Sequence, residues 1–315
     1  MAYTGTTADA FQAAVQRSIQ AKTLENLRDD LTWSNPSLAE QGRFDNASDM
    51  LTFLKFPDVE STTPLTPLTE GVPPTARSIS MTTVNVSTDQ YGDIINISDI
   101  AKVKAPRDVV SIAAERTGRV AKEVMDTITR DNIFLGGTPY YAGDATTRAT
   151  IDGGSGENNL DGADLILLRS KMKAANVPLG EGGYYKLYLS INQAHDLRSE
   201  TTATQSWAEV AKYTNKVSEI DRGEIGAFHG FRIIEADTAP TFSSTLTVYA
   251  GLALGGIKGW GAGELQSFQT YHVTPGNDHG DVLGQVEAVG WKVNFGCAPL
   301  NNGYYWRVES SATAL

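Results

Sequence analysis

Apolar residues recur at three- and four-residue steps through residues 106–134, where Val110, Ala114, Ala121, Val124, Met125 and Ile128 form one stripe with Thr117 in its gap. That period belongs to an amphipathic α-helix and predicts the longest helix of the chain. Pro106 suits its first position and Gly136-Gly137 its end. Arg116, Arg119, Glu123, Asp126 and Arg130 fall on the opposite face, with i,i+4 pairs expected for Arg119–Glu123 and Asp126–Arg130. Such pairs contribute only about 0.2–0.5 kcal/mol each. At 1.5 Å per residue the helix would run roughly 40 Å, a length that suits a spine.

The pattern changes on the N-terminal side. Residues 1–45 are polar, with one short helix candidate over 8–21 carried by Phe11, Ala14, Val15 and Ile19. So sparse a stripe needs another surface to lie on. Met50–Phe56 reads as a strand, after which Pro57, Pro64, Pro67, Pro73 and Pro74 interleave with threonine and serine. Proline fixes φ and removes a donor, so this stretch is neither helix nor central strand. Ser78–Ser87 and Gly92–Ser98 are again β-formers. Residues 46–100 thus read as a long, thin two-stranded excursion. Two strands without a third layer bury too little to stand alone, so the excursion is expected to rest on another subunit.

Beyond the long helix the periods mix, and the fold class expected is α+β. Asp161 or Asp164 caps a helix running to Asn176 and stopped by Pro178. Tyr185, Leu187, Leu189 and Ile191 alternate on one strand face, and 206–213 is a short helix candidate. Strands are expected over 231–235, 245–250, 286–295 and 303–309, the last with Tyr304, Trp306 and Val308 on one face.

Composition narrows the function. A chain of 315 residues with 41% hydrophobic and 20% charged residues can bury a core, which excludes a wholly disordered protein. The single Cys297 excludes an internal disulfide framework. A net charge of −11 disfavours tight binding to phosphate backbones, though not lying beside DNA without specific binding. No apolar run approaches the roughly 20 residues of a membrane helix. Met1-Ala2-Tyr3-Thr4 opens no secretory signal, so the protein is expected to be made in the cytoplasm.

Candidate chemistry is thin. Gly251–Gly263 (GLALGGIKGWGAG) lacks the Gly-Lys-Ser/Thr of a phosphate loop and reads as turns and tight packing. His195, His229, His272 and His279 share no metal-ligand spacing. His195-Asp196 has no nucleophile elbow to serve, and Cys297 reads as a buried small hydrophobe. Asn277-Asp278-His279-Gly280-Asp281 does not match a calcium loop and reads as a polar turn. No enzyme, cofactor or metal is expected.

Several stretches carry a resemblance. TPLTEGVPPTARSISMTTVNVSTDQYGDIINISDI (64–100) resembles the hallmark segment of a major capsid protein family of tailed double-stranded DNA bacteriophages, typified by a short-tailed coliphage. GGTPYYAGDATTRATI (136–151), YYKLYLSINQAHDLRSET (184–201), EIGAFHGFRIIEA (224–236) and GWKVNFGCAPLNNGYYWRVES (290–310) are similar to further stretches of that family, in its order. The resemblance implies the Hong Kong ninety-seven-type capsid fold. Its parts would be an N-terminal arm (1–45), an extended loop with flanking strands (46–100), a peripheral-domain spine helix (101–137), an axial domain (138–285) and return strands of the peripheral domain (286–315). It also implies self-assembly into hexamers and pentamers of an icosahedral head, a portal at one vertex and room for a decoration protein. The chain starts directly with its arm and carries no helical prodomain, so a separate scaffolding protein is expected.

Charge adds an expectation of its own. Residues 46–100 hold seven acidic groups (Asp49, Asp58, Glu60, Glu70, Asp89, Asp93, Asp99) against Lys55 and Arg77. Residues 101–122 hold six basic groups (Lys102, Lys104, Arg107, Arg116, Arg119, Lys122) against Asp108 and Glu115. In such shells the loop crosses a neighbour's spine region, so opposite charge would orient subunits, adding register and rate more than affinity. The assembly residues expected are Lys55, Asp58, Glu60, Glu70, Arg77, Arg107, Arg116, Arg119 and Glu123. Two other readings compete: a nanocompartment (encapsulin-like) shell of the same fold, and a carbohydrate-binding or hydrolytic α+β protein suggested by 12 tyrosines and 5 tryptophans.

Overall fold

A computed structural model of the chain describes residues 32–35, 38–44, 50–56, 67, 70–72, 78–105, 108–151, 158–199, 224–244, 246–277, 281 and 283–313. The helices expected over 8–21 and 206–213 lie outside them. In chain order the first elements are strands β1 (Glu40–Gln41), β2 (Arg43–Phe44), β3 (Met50–Lys55), β4 (Thr82–Ser87) and β5 (Asp89–Ser98), then helices α1 (Asp99–Lys104) and α2 (Val109–Leu135). Next come β6 (Thr138–Tyr141), α3 (Gly162–Ala174), β7 (Tyr185–Leu189) and α4 (Ile191–Ser199). The rest is β8 (Glu224–Phe228), β9 (Phe231–Glu235), β10 (Thr241–Ser243), β11 (Thr247–Leu254), β12 (Trp260–Val273), β13 (Val286–Pro299) and β14 (Tyr305–Ser310).

The long helix forms as its stripe predicts, with its start moved. Asp108 caps it by accepting from the Val110 N–H, so the first helical residue is Val109 rather than Pro106. It ends at Gly136, whose N–H donates to Ile133 O. Gly137 takes φ 81°, and a Cβ on either glycine would strike the Tyr305 ring or hydroxyl, so both are needed for close approach.

Two sheets flank this helix. The smaller runs β1-β12-β13-β5, with β12 and β13 a long antiparallel ribbon and β5 pairing β13 over ten residues. The larger has seven strands in the order β6-β14-β11-β7-β9-β8, with β10 on β11. A third, three-stranded sheet, β2-β3-β4, holds the first part of the expected excursion, whereas its last strand, β5, pairs β13 in the smaller sheet rather than standing in a two-stranded loop. Sheet membership departs from the division that the resemblance implies. β12 lies within 138–285 yet belongs to the smaller sheet, and β14 lies within 286–315 yet sits between β11 and β6 in the larger one. β14 follows β13 after only a short turn, so nothing in its own residues marks the change of sheet.

One core joins the two layers. Ala121, Met125, Ile133 and Phe134 of α2 pack with Trp291, Val293, Phe295 and Cys297 of β13, and with Leu252, Leu254 and Tyr305 of the larger sheet. A second core lies between the larger sheet and α3 and α4, where Leu165, Leu168, Met172, Ala194 and Leu197 meet Tyr185, Leu187, Ile233 and Val308. Asp161 is the cap of α3, and Asp164 three residues on completes the reciprocal capping box. Ile191 does not continue the β7 face: it opens α4 and is exposed. Ser190, hydrogen-bonded through its hydroxyl to Gln193, turns the chain there.

Candidate assembly surface

The β3–β4 hairpin has two unlike faces, and the sequence builds both. Register sets Leu51 opposite Val86 and Phe53 opposite Val84, and these side chains point inward. Their seat is made of glycine. A Cβ on Gly42 or Gly263 would meet Leu51, and one on Gly261 would run into the Phe53 ring. The alternate residues point out, and they are apolar as well: Met50 is 42% exposed, Leu54 55% and Phe56 61%, with Ile79 75% and Met81 57% on the returning limb. The outer face is thus divided, apolar along β3 and polar along β4, where Thr83, Asn85 and Ser87 stand opposite Leu54, Thr52 and Met50; the inner face is covered by its own chain. Thr52 and Asn85 are hydrogen-bonded at 3.2 Å across the two strands of that outer face.

The expected assembly residues distribute unevenly. Lys55 is half-buried at the end of β3, and Glu70 is exposed in a turn beside Gly71, whose φ is 81°. Asp58, Glu60, Arg77 and Arg107 lie outside the described residues. Arg116, Arg119 and Glu123 are brought together on the exposed face of α2, with the exposed Ile112 and Val120 among them. Neither expected i,i+4 pair forms. Arg119 reaches back to Glu115 at 3.2 Å, and Arg130 pairs with Asp131 at 2.8 Å. Lys102, counted in the basic segment, is committed to Glu287 at 2.7 Å within its own chain.

Asp126 is the largest departure. Placed by period on the polar face, it is 1% exposed. Its Oδ1 accepts from the backbone N–H of Trp33 and of Ser34, both at 2.8 Å, and its Oδ2 from the Thr238 hydroxyl at 3.3 Å. Trp33 is itself fully buried between Phe134 and Tyr188, and its indole N–H donates to Thr238 Oγ1 at 3.0 Å. This clamp ties the segment before β1 to α2 and to the larger sheet at once. The one sequence signal for it was a tryptophan in an otherwise polar stretch.

The candidate chemistry resolves into structure. Asp196 Oδ2 accepts from the Thr313 N–H at 2.8 Å while its Oδ1 lies 3.3 Å from His195 Nδ1, which makes the aspartate a tether for the C-terminal segment. Cys297 is buried in the joint core, where burial pushes its thiol up to about 12, far from a reactive thiolate. Of the cluster over 277–281, residues 278–280 lie outside the described residues, and Asp281 accepts from the N–H groups of Gln285 and Val286. Gly255 and Gly256 pack on the backbone of residues 178–180, and Gly259 on Tyr305. Among the described residues, no group of three or more His, Cys, Asp or Glu side chains is placed to hold a metal ion, and no helix is long and apolar enough to cross a membrane.

A family model described as phage capsid protein matches residues 81–307. No curated protein sequence matches the chain. Among solved structures, the capsid of the cyanophage P-SCSP1u is similar with a TM-score of 0.62 at 16% identity, over 87% of this chain and 86% of that one. The capsid of Ralstonia phage GP4 gives a TM-score of 0.63 at 13% identity, over 89% and 87%. The acid-stable capsid of the Helicobacter pylori bacteriophage KHP30 gives 0.62 at 11%, over 90% and 93%. The α+β fold is thus the Hong Kong ninety-seven-type capsid fold. From residue 81 to residue 307 it is also matched in sequence, and the chain belongs to the phage capsid protein family, as a structural, major capsid protein of the virion.

Proposed function

We propose that the chain assembles with copies of itself into hexamers and pentamers of an icosahedral phage head, which encloses double-stranded DNA without gripping it. The observation that carries this reading is the β3–β4 hairpin, seated on its own subunit by one face and showing exposed Met50, Leu54, Phe56, Ile79 and Met81 along its limbs. A second copy is the partner that every subunit of a closed shell has available, and weak contacts repeated around such a shell add up. Net charge of −11 supports a surface that faces DNA without binding it. The smaller sheet and α2 form the peripheral unit in this reading, and the larger sheet with α3 and α4 the axial one. Assembly takes place in the host cytoplasm, with a separate scaffolding protein, a portal at one vertex and room for a decoration protein.

The extended hairpin crosses the exposed face of α2 on a neighbour, where Arg116, Arg119 and Glu123 stand beside Ile112 and Val120. Lys55 and Glu70 are the hairpin's own contributions, joined by Asp58, Glu60 and Arg77, and Arg107 completes the basic side. Negative-stain electron microscopy of the expressed protein, with and without a co-expressed scaffolding protein, tests the reading. Closed shells or five- and six-membered rings are expected. A monodisperse monomer under both conditions would refute it.

A further inference from the structure

A three-residue ionic cluster stands at the turn between β5 and α2, apart from the assembly residues above. Glu287 of β13 is almost completely buried, and its two oxygens are both engaged. Oε1 lies 2.7 Å from His272 Nε2 on the adjacent strand β12, and Oε2 lies 2.7 Å from Lys102 Nζ on α1. The His272 side chain is 6% exposed, whereas Lys102 reaches in from solvent with 51% of its side chain exposed. By register Glu287 faces Ile97, whose neighbours Val110, Ala113, Ala114 and Val289 form a small apolar cluster. A carboxylate at the edge of such a cluster keeps its charge only because both oxygens are hydrogen-bonded to donors.

The position of Lys102 gives this cluster a task. α1 has six residues, none of them buried: Ser98 Oγ accepts from Ala101 N and Asp99 Oδ1 from Ile100 N, and outside the helix only its first residue is held by backbone of the described residues, the Asp99 N–H donating to Gln285 O at 3.0 Å. Among the described residues, Lys102–Glu287 is the one side-chain polar tie from α1 to another element. The helix it leads into is held unequally. The C-terminal half of α2 sits in the large joint core, while its N-terminal third is held by the small cluster around Val110 and Ala114. Beside that end are exposed apolar residues: Val103 at 86%, Leu283 at 81% and Ile100 at 59%.

We propose that Lys102, Glu287 and His272 act as a pin that locks α1 and the start of α2 to the end of the β12–β13 ribbon, and so fixes the angle at which a subunit presents its exposed apolar end to the next copy. Lys102 and His272 are positioning residues in this device, and Glu287 is the socket. The proposal rests on the capsid reading for its consequence, shell curvature, but not for the pin itself. Lys102 is half-exposed, so its substitution removes the tie without opening a core.

Lys102→Met and Lys102→Arg test it, each compared with the unaltered chain. Hydrogen exchange at the Ala105 amide, which donates to Ala101 O at 3.0 Å, reads the pin in the single subunit. K102M is expected to speed that exchange about tenfold or more, the factor that goes with losing one hydrogen bond to a charged group. K102R is expected to restore it. Electron microscopy of assembled particles reads curvature: K102M gives shells of mixed diameter or open sheets, and K102R uniform shells. Unchanged Ala105 exchange in K102M overturns the pin, and uniform K102M shells with faster exchange overturn its role in curvature. Absence of shells from the unaltered chain would count against the capsid reading alone, because the exchange result stands without it.

Discussion

Asp164 is a carboxyl in an expensive place. Its Oδ1 accepts from the Tyr140 hydroxyl at 2.8 Å and the Gly143 N–H at 3.1 Å, and its Oδ2 from the Asp161 N–H. Burial first, then the nearby Asp161 charge, push its pKa up from 3.8 to about 6, against the pull of those hydrogen bonds. Because the folded chain holds this proton more tightly than the unfolded one, the group stabilises the fold at low pH. That contribution is lost as pH rises from 3.8 to about 6, a loss of roughly 3 kcal/mol by linkage. Asp164→Asn is expected to flatten the stability profile across that window while lowering stability at its acid end. Denaturant unfolding at closely spaced pH values checks this, and an unchanged slope would refute it. Glu287 runs the other way. Burial raises its pKa, but the hydrogen bonds and charges of Lys102 and His272 outweigh it and hold the group below its usual range. Its stabilising effect is present above the ordinary carboxylate pKa and is lost as pH falls through the depressed value.

Among elements, the hairpin and the long helix show what a sequence does and does not announce. The period of α2 was readable because its stripe is set by local spacing: Val110, Ala114, Ala121 and Met125 are buried as spaced. Asp126 was not, because its partners Trp33 and Thr238 are 93 and 112 residues away. The same holds for Arg119, where two carboxylates lie at equal spacing along the helix and only packing decides between Glu115 and Glu123. The glycines of 251–263 were legible as close-packing residues, while their task of seating a hairpin some two hundred residues earlier was not. That task is testable. Gly261→Val puts a branched side chain where the Phe53 ring lies. The expected outcome is a loss of about 1–3 kcal/mol, the usual range for overpacking, with faster hydrogen exchange across β3 and β4 and little change in β7 or β9. Uniform loosening of all strands would show that the hairpin is not a separately seated unit.

At the scale of the whole molecule, the α+β class and the family were legible because the matching stretches keep their order along the chain. The assignment of strands to sheets was not, since pairing is a long-range choice that neither β12 nor β14 encodes locally. The electrostatic expectation belongs here too. With Lys102 and Arg119 engaged inside their own subunit, Arg116 carries more of the basic face than a count of charges suggests. Reversing charge at Arg116 and Arg119 together is expected to slow assembly and reduce its dependence on salt, with little effect on subunit stability, as for exposed pairs. Light scattering during assembly at several ionic strengths measures this, and unchanged kinetics would remove charge as the orienting force.

The placement of β14 has a consequence for synthesis. Residues 305–310 lie between β11 and β6, so the larger sheet is two separate pieces until they arrive. Every residue of α2, α3 and the β12–β13 ribbon leaves the ribosome before that gap can close. A half-made chain therefore exposes the edges of β6 and β11 and cannot offer a finished surface to its neighbours. The strand that closes the larger sheet is thus made after all the elements it joins.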